Sequence, residues 1–267
     1  MEVPQVPFDD RGLAYGDGLF ETVLLRDGRP LLWDYHLARL KRGCRLLDIP
    51  CPAQGALEAD IRVDGEGLEV LKLIVTRGSG GRGYACPEKV VPRLLSSRTP
   101  FHAQEQHWRN GVRVRLCELR LGHQPRLAGI KHLNRLENVL ARNEWQTPDI
   151  VEGLVADHNG RVIEATSMNL FWCHKGQYFT PYLDQCGVAG TLREALLAAG
   201  EVTQAHLDIE ELSDVEALWI GNSVQGMWPV AELLDTQGAP WQRWSLGTAS
   251  RRLQAMANRL LGYPQFS

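Results

Sequence analysis

Glu164-Ala165-Thr166-Ser167-Met168-Asn169-Leu170-Phe171 sets one carboxylate at the end of an apolar run, just before a polar turn. Upstream, Gly153-Leu154-Val155-Ala156 and Arg161-Val162-Ile163-Glu164 flank Asn159-Gly160, a dipeptide suited to a two-residue hairpin turn. Downstream, Asn169-Leu170-Phe171-Trp172 and Tyr178-Phe179-Thr180 flank Lys175-Gly176, a second turn signal. A run of short strands is therefore predicted across 153–180, with Glu164 at a strand end.

Further upstream stands Gly129-Ile130-Lys131-His132-Leu133-Asn134-Arg135. The spacing of Leu133, Leu136, Val139 and Leu140 predicts a helix from Lys131 to Trp145 with these residues as its core stripe. Lys131 and Asn134 fall off that stripe. Past Gly190 a helix is predicted with Leu192, Ala195, Leu196 and Ala199 on one side; Val215–Ile220 reads as a strand and 248–261 as an amphipathic helix. Towards the N-terminus, Leu19–Leu25 is β-prone and Arg26-Asp27-Gly28-Arg29 is a turn. Asp34 is the expected cap of a helix carrying Leu37, Leu40, Cys44 and Leu47, which stops before Pro50. Strands are expected at Leu68–Thr76 and Val90–Leu95. Between them lies the glycine loop Arg77-Gly78-Ser79-Gly80-Gly81-Arg82-Gly83-Tyr84. The polar stretch 99–110 marks a domain boundary, dividing the chain into 1–105 and 106–267.

The chain has 267 residues, 44% hydrophobic and 23% charged, with net charge −3. Length and composition suit one or two globular domains, and the charge argues against nucleic acid as a partner. No apolar run approaches a membrane span, and Met1-Glu2-Val3-Pro4-Gln5 does not open like a secretory signal. The six cysteines form no CxxC pair and the eight histidines no metal-binding spacing, so reduced thiols, a cytoplasmic location and no metal are expected. Lysine is scarce: only Lys41, Lys72, Lys89, Lys131 and Lys175 are available for amine chemistry. Arginine does not deprotonate near neutrality and cannot substitute in that role.

One lysine, one carboxylate and several anion-binding turns form the donor set that pyridoxal phosphate requires. Lys131 would form an imine with the aldehyde, and Glu164 would hold a proton on the pyridine nitrogen. Gly190-Thr191-Leu192-Arg193 opens a helix whose N–H groups can face a phosphate, and Gly221-Asn222-Ser223 offers a second turn. Arg39 would add a bidentate cation. The glycine loop lacks the GK[ST] ending of a P-loop and no helix follows it directly. It reads as a flexible, substrate-facing loop with Arg82 and Tyr84 as polar contacts.

The segments AYGDGLFET (14–22), HLARL (36–40), IKHLNRLENVLAR (130–142), EATSMNLFW (164–172), CGVAGTLR (186–193) and GNSVQGMWPV (221–230) occur in collinear order over nearly the whole chain. Together they resemble the fold type IV pyridoxal phosphate enzymes. The resemblance implies a two-domain α/β (α+β) protein, usually a homodimer. A smaller N-terminal α/β domain and a larger barrel-like domain, the latter carrying Lys131 and Glu164, would enclose the cofactor. It carries the imine role to Lys131, the ring-nitrogen role to Glu164 and phosphate contacts to Arg39, Thr191, Leu192 and Asn222. Thr22 would touch the lysine. The implied activity is a lyase reaction that splits 4-amino-4-deoxychorismate into 4-aminobenzoate and pyruvate. Aminotransfer on D- or branched-chain amino acids is the alternative. Where branched-chain aminotransferases carry a tyrosine, this chain has Leu136, which counts against that relative.

Overall fold

The computed structural model describes residues 5–61 and 65–265. They group into two compact units, Met1–His102 with Ile130–Arg135, and Ala103–Gly129 with Leu136–Ser267.

The first unit is built on a four-stranded antiparallel sheet. Helix α1 (Arg11–Tyr15) leads into β1 (Gly18–Arg26), and a tight turn leads to β2 (Arg29–Pro30). Helices α2 (Trp33–Leu47) and α3 (Gln54–Leu57) follow, then β3 (Leu68–Thr76) and β4 (Arg93–Pro100), in the sheet order β2-β1-β3-β4. Leu37, Leu40 and Cys44 are buried on α2, as their spacing requires. Asp34 does not cap α2: Leu32, in the left-handed conformation, holds that position, and Asp34 lies inside the first turn. The fourth strand also lies later than expected. The chain from Val90 to Pro92 approaches it irregularly, and β4 continues to Pro100 because it pairs with β3 along its whole length.

Residues 130–135 belong to this unit by their contacts, not to the second one, where the sequence places Lys131. They are not helical. Lys131 O accepts from Phe20 N at 2.9 Å, and Leu133 N donates to Gly18 O at 3.0 Å. The segment therefore lies antiparallel along the edge of β1 that β2 leaves open, since β2 pairs only with Leu25 and Arg26. Those two backbone bonds, worth about 1 kcal/mol each, compete directly with helical ones. Helix formation starts only at Leu136.

The second unit runs α4 (Glu105–Asn110), β5 (Val112–Leu121), α5 (Leu136–Arg142), β6 (Ile150–Asp157), β7 (Val162–Ala165), β8 (Asn169–His174), β9 (Gln177–Pro181), α6 (Thr191–Ala198), β10 (Thr203–Ala205), β11 (Ala217–Asn222), β12 (Gly226–Leu234), β13 (Pro240–Arg243) and α7 (Thr248–Leu260). The path β8-β11-β12-β5-β6-β7 closes on itself, because β7 also pairs with β8 through Glu164 and Asn169. The result is a six-stranded barrel with β9, β10 and β13 attached. Closure leaves no open edge among the six, and apolar side chains such as Leu154, Val155, Leu170, Phe171, Trp219 and Ile220 are fully buried. Both predicted hairpins form, around Gly160 and around Lys175-Gly176. The expected core stripe of α5 is not a core: Leu136, Val139 and Leu140 are 75%, 50% and 60% exposed.

Candidate active site

In the first unit the lysine is presented by backbone pairing. Strand pairing of 131–133 with β1 sets Lys131 beside Phe20, with Nζ 4.3 Å from the ring centroid. Thr22 follows Phe20 on the same face of β1, two residues along, opposite Lys72 on β3. The neighbouring His132 imidazole is pushed down to about 4 by burial and by the charge of Arg135, so it is neutral near pH 7.

The opposite face of β1 turns Glu21 towards α2. Arg39 Nε donates to Glu21 Oε1 at 2.8 Å and Nη2 to Oε2, while His36 Nδ1 lies 2.6 Å from Oε2. All three side chains are buried. Burial alone would raise the Glu21 carboxyl, but the Arg39 charge and the hydrogen bonds from Arg39 and His36 outweigh it and hold the group at about 2. Arg39 is thus a core cation, not a surface charge, and two of its three nitrogens are aligned on Glu21.

Arg39→Ala should leave that carboxylate buried without its main partner, at a cost of about 3–5 kcal/mol. The sign with pH follows from a depressed pKa. The pair's stabilisation is complete above the ordinary Glu value of 4.5 and fades as pH falls through about 2. Urea unfolding at pH 7 and pH 3 checks this: the variant's deficit should shrink at the lower pH. An equal midpoint for both proteins at pH 7 would return Arg39 to the surface.

In the second unit Glu164 ends β7, buried at the barrel closure. Val188 N donates to Oε2 at 2.8 Å and Asn138 Nδ2 approaches Oε1 at 3.4 Å. Asn138 also donates to Thr166 O at 3.0 Å, and the hydroxyls of Thr166 and Ser167 both donate to the buried Glu152. The turn after Glu164 is therefore fixed from three sides. Asn138 and Glu152 were not singled out from the sequence. An acidic residue inside the apolar run of β6 was the available signal for Glu152.

Helix α6 begins at Thr191 behind Gly190, and no side chain caps it. Glycine is required there: a Cβ would stand 1.9 Å from Asn169 Oδ1, where Asn169 reaches across to Val188 O. Thr191 and Leu192 thus open a helix whose first N–H groups and dipole favour an anion. Arg193 points away and ties α6 to Pro181 O and Gln204. In the turn after β11, the Asn222 side chain is committed to shaping the loop. Its Oδ1 accepts from Val224 N and Gln225 N, and Nδ2 donates to Ser167 O. An anion contact there falls to the backbone or to Ser223, which the sequence reading had not named as a ligand.

The glycine loop, expected to be flexible, is hydrogen-bonded through its backbone. Arg82 and Tyr84 are exposed, but the loop carbonyls turn inward onto the buried guanidinium of Arg11. Among the described residues no group of acidic, histidine and cysteine side chains could hold a metal ion, and no helix is long and apolar enough to cross a membrane.

A primary amine, a buried carboxylate held by two donors and an uncapped helix N-terminus are the groups that fit pyridoxal phosphate. The family model described as amino-transferase class IV matches residues 18–233. The chain belongs to this family. It is similar to aminodeoxychorismate lyase of Vibrio harveyi, 35% identical over 95% of this chain and 96% of that protein. It is also similar to the crystal structure of 4-amino-4-deoxychorismate lyase from Pseudomonas aeruginosa, with TM-score 0.87, 41% identity and coverage of 97% and 96%. The fold extends to a hypothetical aminotransferase from Mycobacterium tuberculosis in a PLP-bound form, at TM-score 0.81, 22% identity and coverage of 97% and 94%.

Proposed function

We propose that this chain is a pyridoxal phosphate-dependent lyase that converts 4-amino-4-deoxychorismate into 4-aminobenzoate and pyruvate. The observation that carries this reading is the full-length likeness to the Pseudomonas aeruginosa lyase. Lys131 would hold the cofactor covalently, Glu164 would pair with its ring nitrogen, and Arg39, Thr191, Leu192 and the Asn222 turn would bind its phosphate. Thr22 would touch Lys131. Arg82 and Tyr84 contact the substrate.

When bound, pyridoxal phosphate supplies an aldehyde that takes up the substrate's amine and a protonated ring that draws off electrons. Glu164 keeps that ring proton in place through its negative charge. The Lys131 amine would remove the proton from the amine-bearing ring carbon. The neighbouring C–O bond then breaks, and its oxygen leaves with the enolpyruvyl group, which becomes pyruvate on taking up a proton. The carbocycle becomes aromatic, so the step runs strongly downhill. Lys131 would then hold the cofactor again for the next cycle.

The fate of nitrogen separates this reading from aminotransfer, the activity named for several relatives at 22–26% identity. In the lyase the nitrogen leaves with the product and no keto acid is needed. With 4-amino-4-deoxychorismate alone, pyruvate should be released over many turnovers. Stalling after one turnover, with recovery only on adding 2-oxoglutarate, would make the protein an aminotransferase.

The exposed stripe Leu136, Val139 and Leu140 on α5 supports a homodimer, since soluble monomers seldom leave such a stripe uncovered. Light scattering should give twice the mass of the 29.9 kDa chain, and Val139→Glu should lower it. A monomeric parent would end that assignment. The free cysteines fit a reducing compartment, and we place the enzyme in the cytoplasm.

A further inference from the structure

Arg11 stands at the start of α1 and is buried. A guanidinium carries five N–H donors in a fixed fork and accepts nothing, so a buried one must find oxygens on all sides. Nε donates to Asp17 Oδ2 at 2.9 Å. Nη1 faces Gly83 O at 3.1 Å, Ala85 O at 3.2 Å and Gly80 O at 3.4 Å, and Nη2 donates to Tyr84 O at 3.2 Å. Four carbonyls of one loop therefore converge on one cation.

The loop's composition follows from this geometry. Gly78, Gly80, Gly81 and Gly83 have φ of 84°, 108°, 82° and 58°, a region side chains disfavour, and these reversals turn the carbonyls inward. A Cβ on Gly81 would lie 2.3 Å from Ala85 O and 3.1 Å from Arg11 Nη1. The glycines allow the backbone to wrap on a guanidinium. Asp17 fixes the cation from the other side. It also accepts from Arg77 Nε at 2.7 Å, and Arg77 in turn binds the carbonyls of Leu47 and Asp48 at the end of α2. On the outer side, Arg11 Cζ lies 5.0 Å from the Tyr15 ring centroid, and Tyr15 meets Tyr84 at 5.4 Å.

We propose that Arg11 is the positioning residue of the glycine loop: it holds the backbone that presents Arg82 and Tyr84 to a cyclic, anionic substrate, without touching that substrate itself. The inference rests on the assignment of Arg82 and Tyr84 as substrate contacts. A lysine cannot replace Arg11, because a point charge with three donors cannot bridge a carboxylate and four carbonyls in one plane. With the clasp removed, substrate binding itself must order the loop. That cost falls on binding more than on the chemical step.

Arg11→Met and Arg11→Lys test this in the holoenzyme, and Asp17 keeps Arg77 as partner in both. Gly81→Ala disturbs the same clasp from the loop side and guards against a simple folding defect at Arg11. The first readout is trypsin cleavage after Arg82, mapped by mass spectrometry, which should speed up at least about 10-fold as local opening becomes cheaper. The second is a kinetic split: KM for 4-amino-4-deoxychorismate should rise about 10-fold with kcat within about threefold, the mark of lost uniform binding. Cofactor affinity should not change. Adding ethylguanidinium to Arg11→Ala should restore resistance at Arg82, whereas ethylammonium should not. Unchanged cleavage at Arg82 in Arg11→Met and Gly81→Ala overturns the clasp. Faster cleavage with an unchanged KM overturns its part in recognition. A parent enzyme that releases no pyruvate yet shows clasp-dependent cleavage counts against the lyase reading, and the clasp stands on the cleavage result.

Discussion

Lys131→Ala should lower pyruvate release by at least about 1,000-fold, or about 4 kcal/mol in barrier, because one side chain both holds the cofactor and moves the proton. The fold should survive, since 130–135 is anchored through backbone bonds to β1 that the substitution leaves in place. Reduction of the parent holoenzyme with borohydride, followed by peptide mapping, should put the pyridoxyl label on Lys131. The competitor with a structural case is Lys72, whose Nζ lies 5.8 Å from the same Phe20 ring. Label on Lys72, with turnover preserved in Lys131→Ala, would transfer the role to that residue.

Glu164→Gln should cut turnover by at least about 100-fold, or about 2.7 kcal/mol in barrier, while leaving the cofactor attached. The substitution keeps the shape and removes the charge that favours a protonated ring nitrogen. It also disturbs local bonding. Val188 N and Asn138 Nδ2 now donate to separate oxygens, and an amide offers only one oxygen between them. Loss of cofactor without loss of intrinsic rate would instead mark Glu164 as a packing residue. Near-normal turnover in the loaded variant would separate it from the ring nitrogen altogether. The two variants are expected to differ in kind: Lys131→Ala loses the covalent link, whereas Glu164→Gln keeps it and loses the electronic effect.

Much of the second unit was legible in the sequence because its signals are local. Asn159-Gly160 and Lys175-Gly176 set the two hairpins, and the apolar runs on either side marked the buried strands. Gly190 before an apolar periodic run located the start of α6, and the same turn chemistry brought Thr191 and Leu192 forward as anion contacts. Lys131 and Glu164 stood out because only five lysines exist and because one carboxylate ends a strand before a polar turn.

Other features depend on partners distant in the chain. The period of Leu133, Leu136, Val139 and Leu140 fits a helix, yet the backbone at Lys131 and Leu133 is taken by the edge of β1. Periodicity records which side chains could share a face; it does not record whether another strand offers an unpaired edge. Arg39 reads as a surface charge or a ligand until the tertiary structure places Glu21 against it. The glycine loop reads as mobile until Arg11 fills it. The sequence by itself determined several of the strands, the two hairpin turns and the chemically able side chains, because these follow from the preferences of neighbouring residues. Only the tertiary structure decided the closure of the barrel through β7 and β8, the strand-like setting of Lys131 and the carbonyl cage around Arg11. Each of these is a choice among competing hydrogen-bond partners, and that choice is settled by which donors and acceptors remain unpaired once the chain has folded.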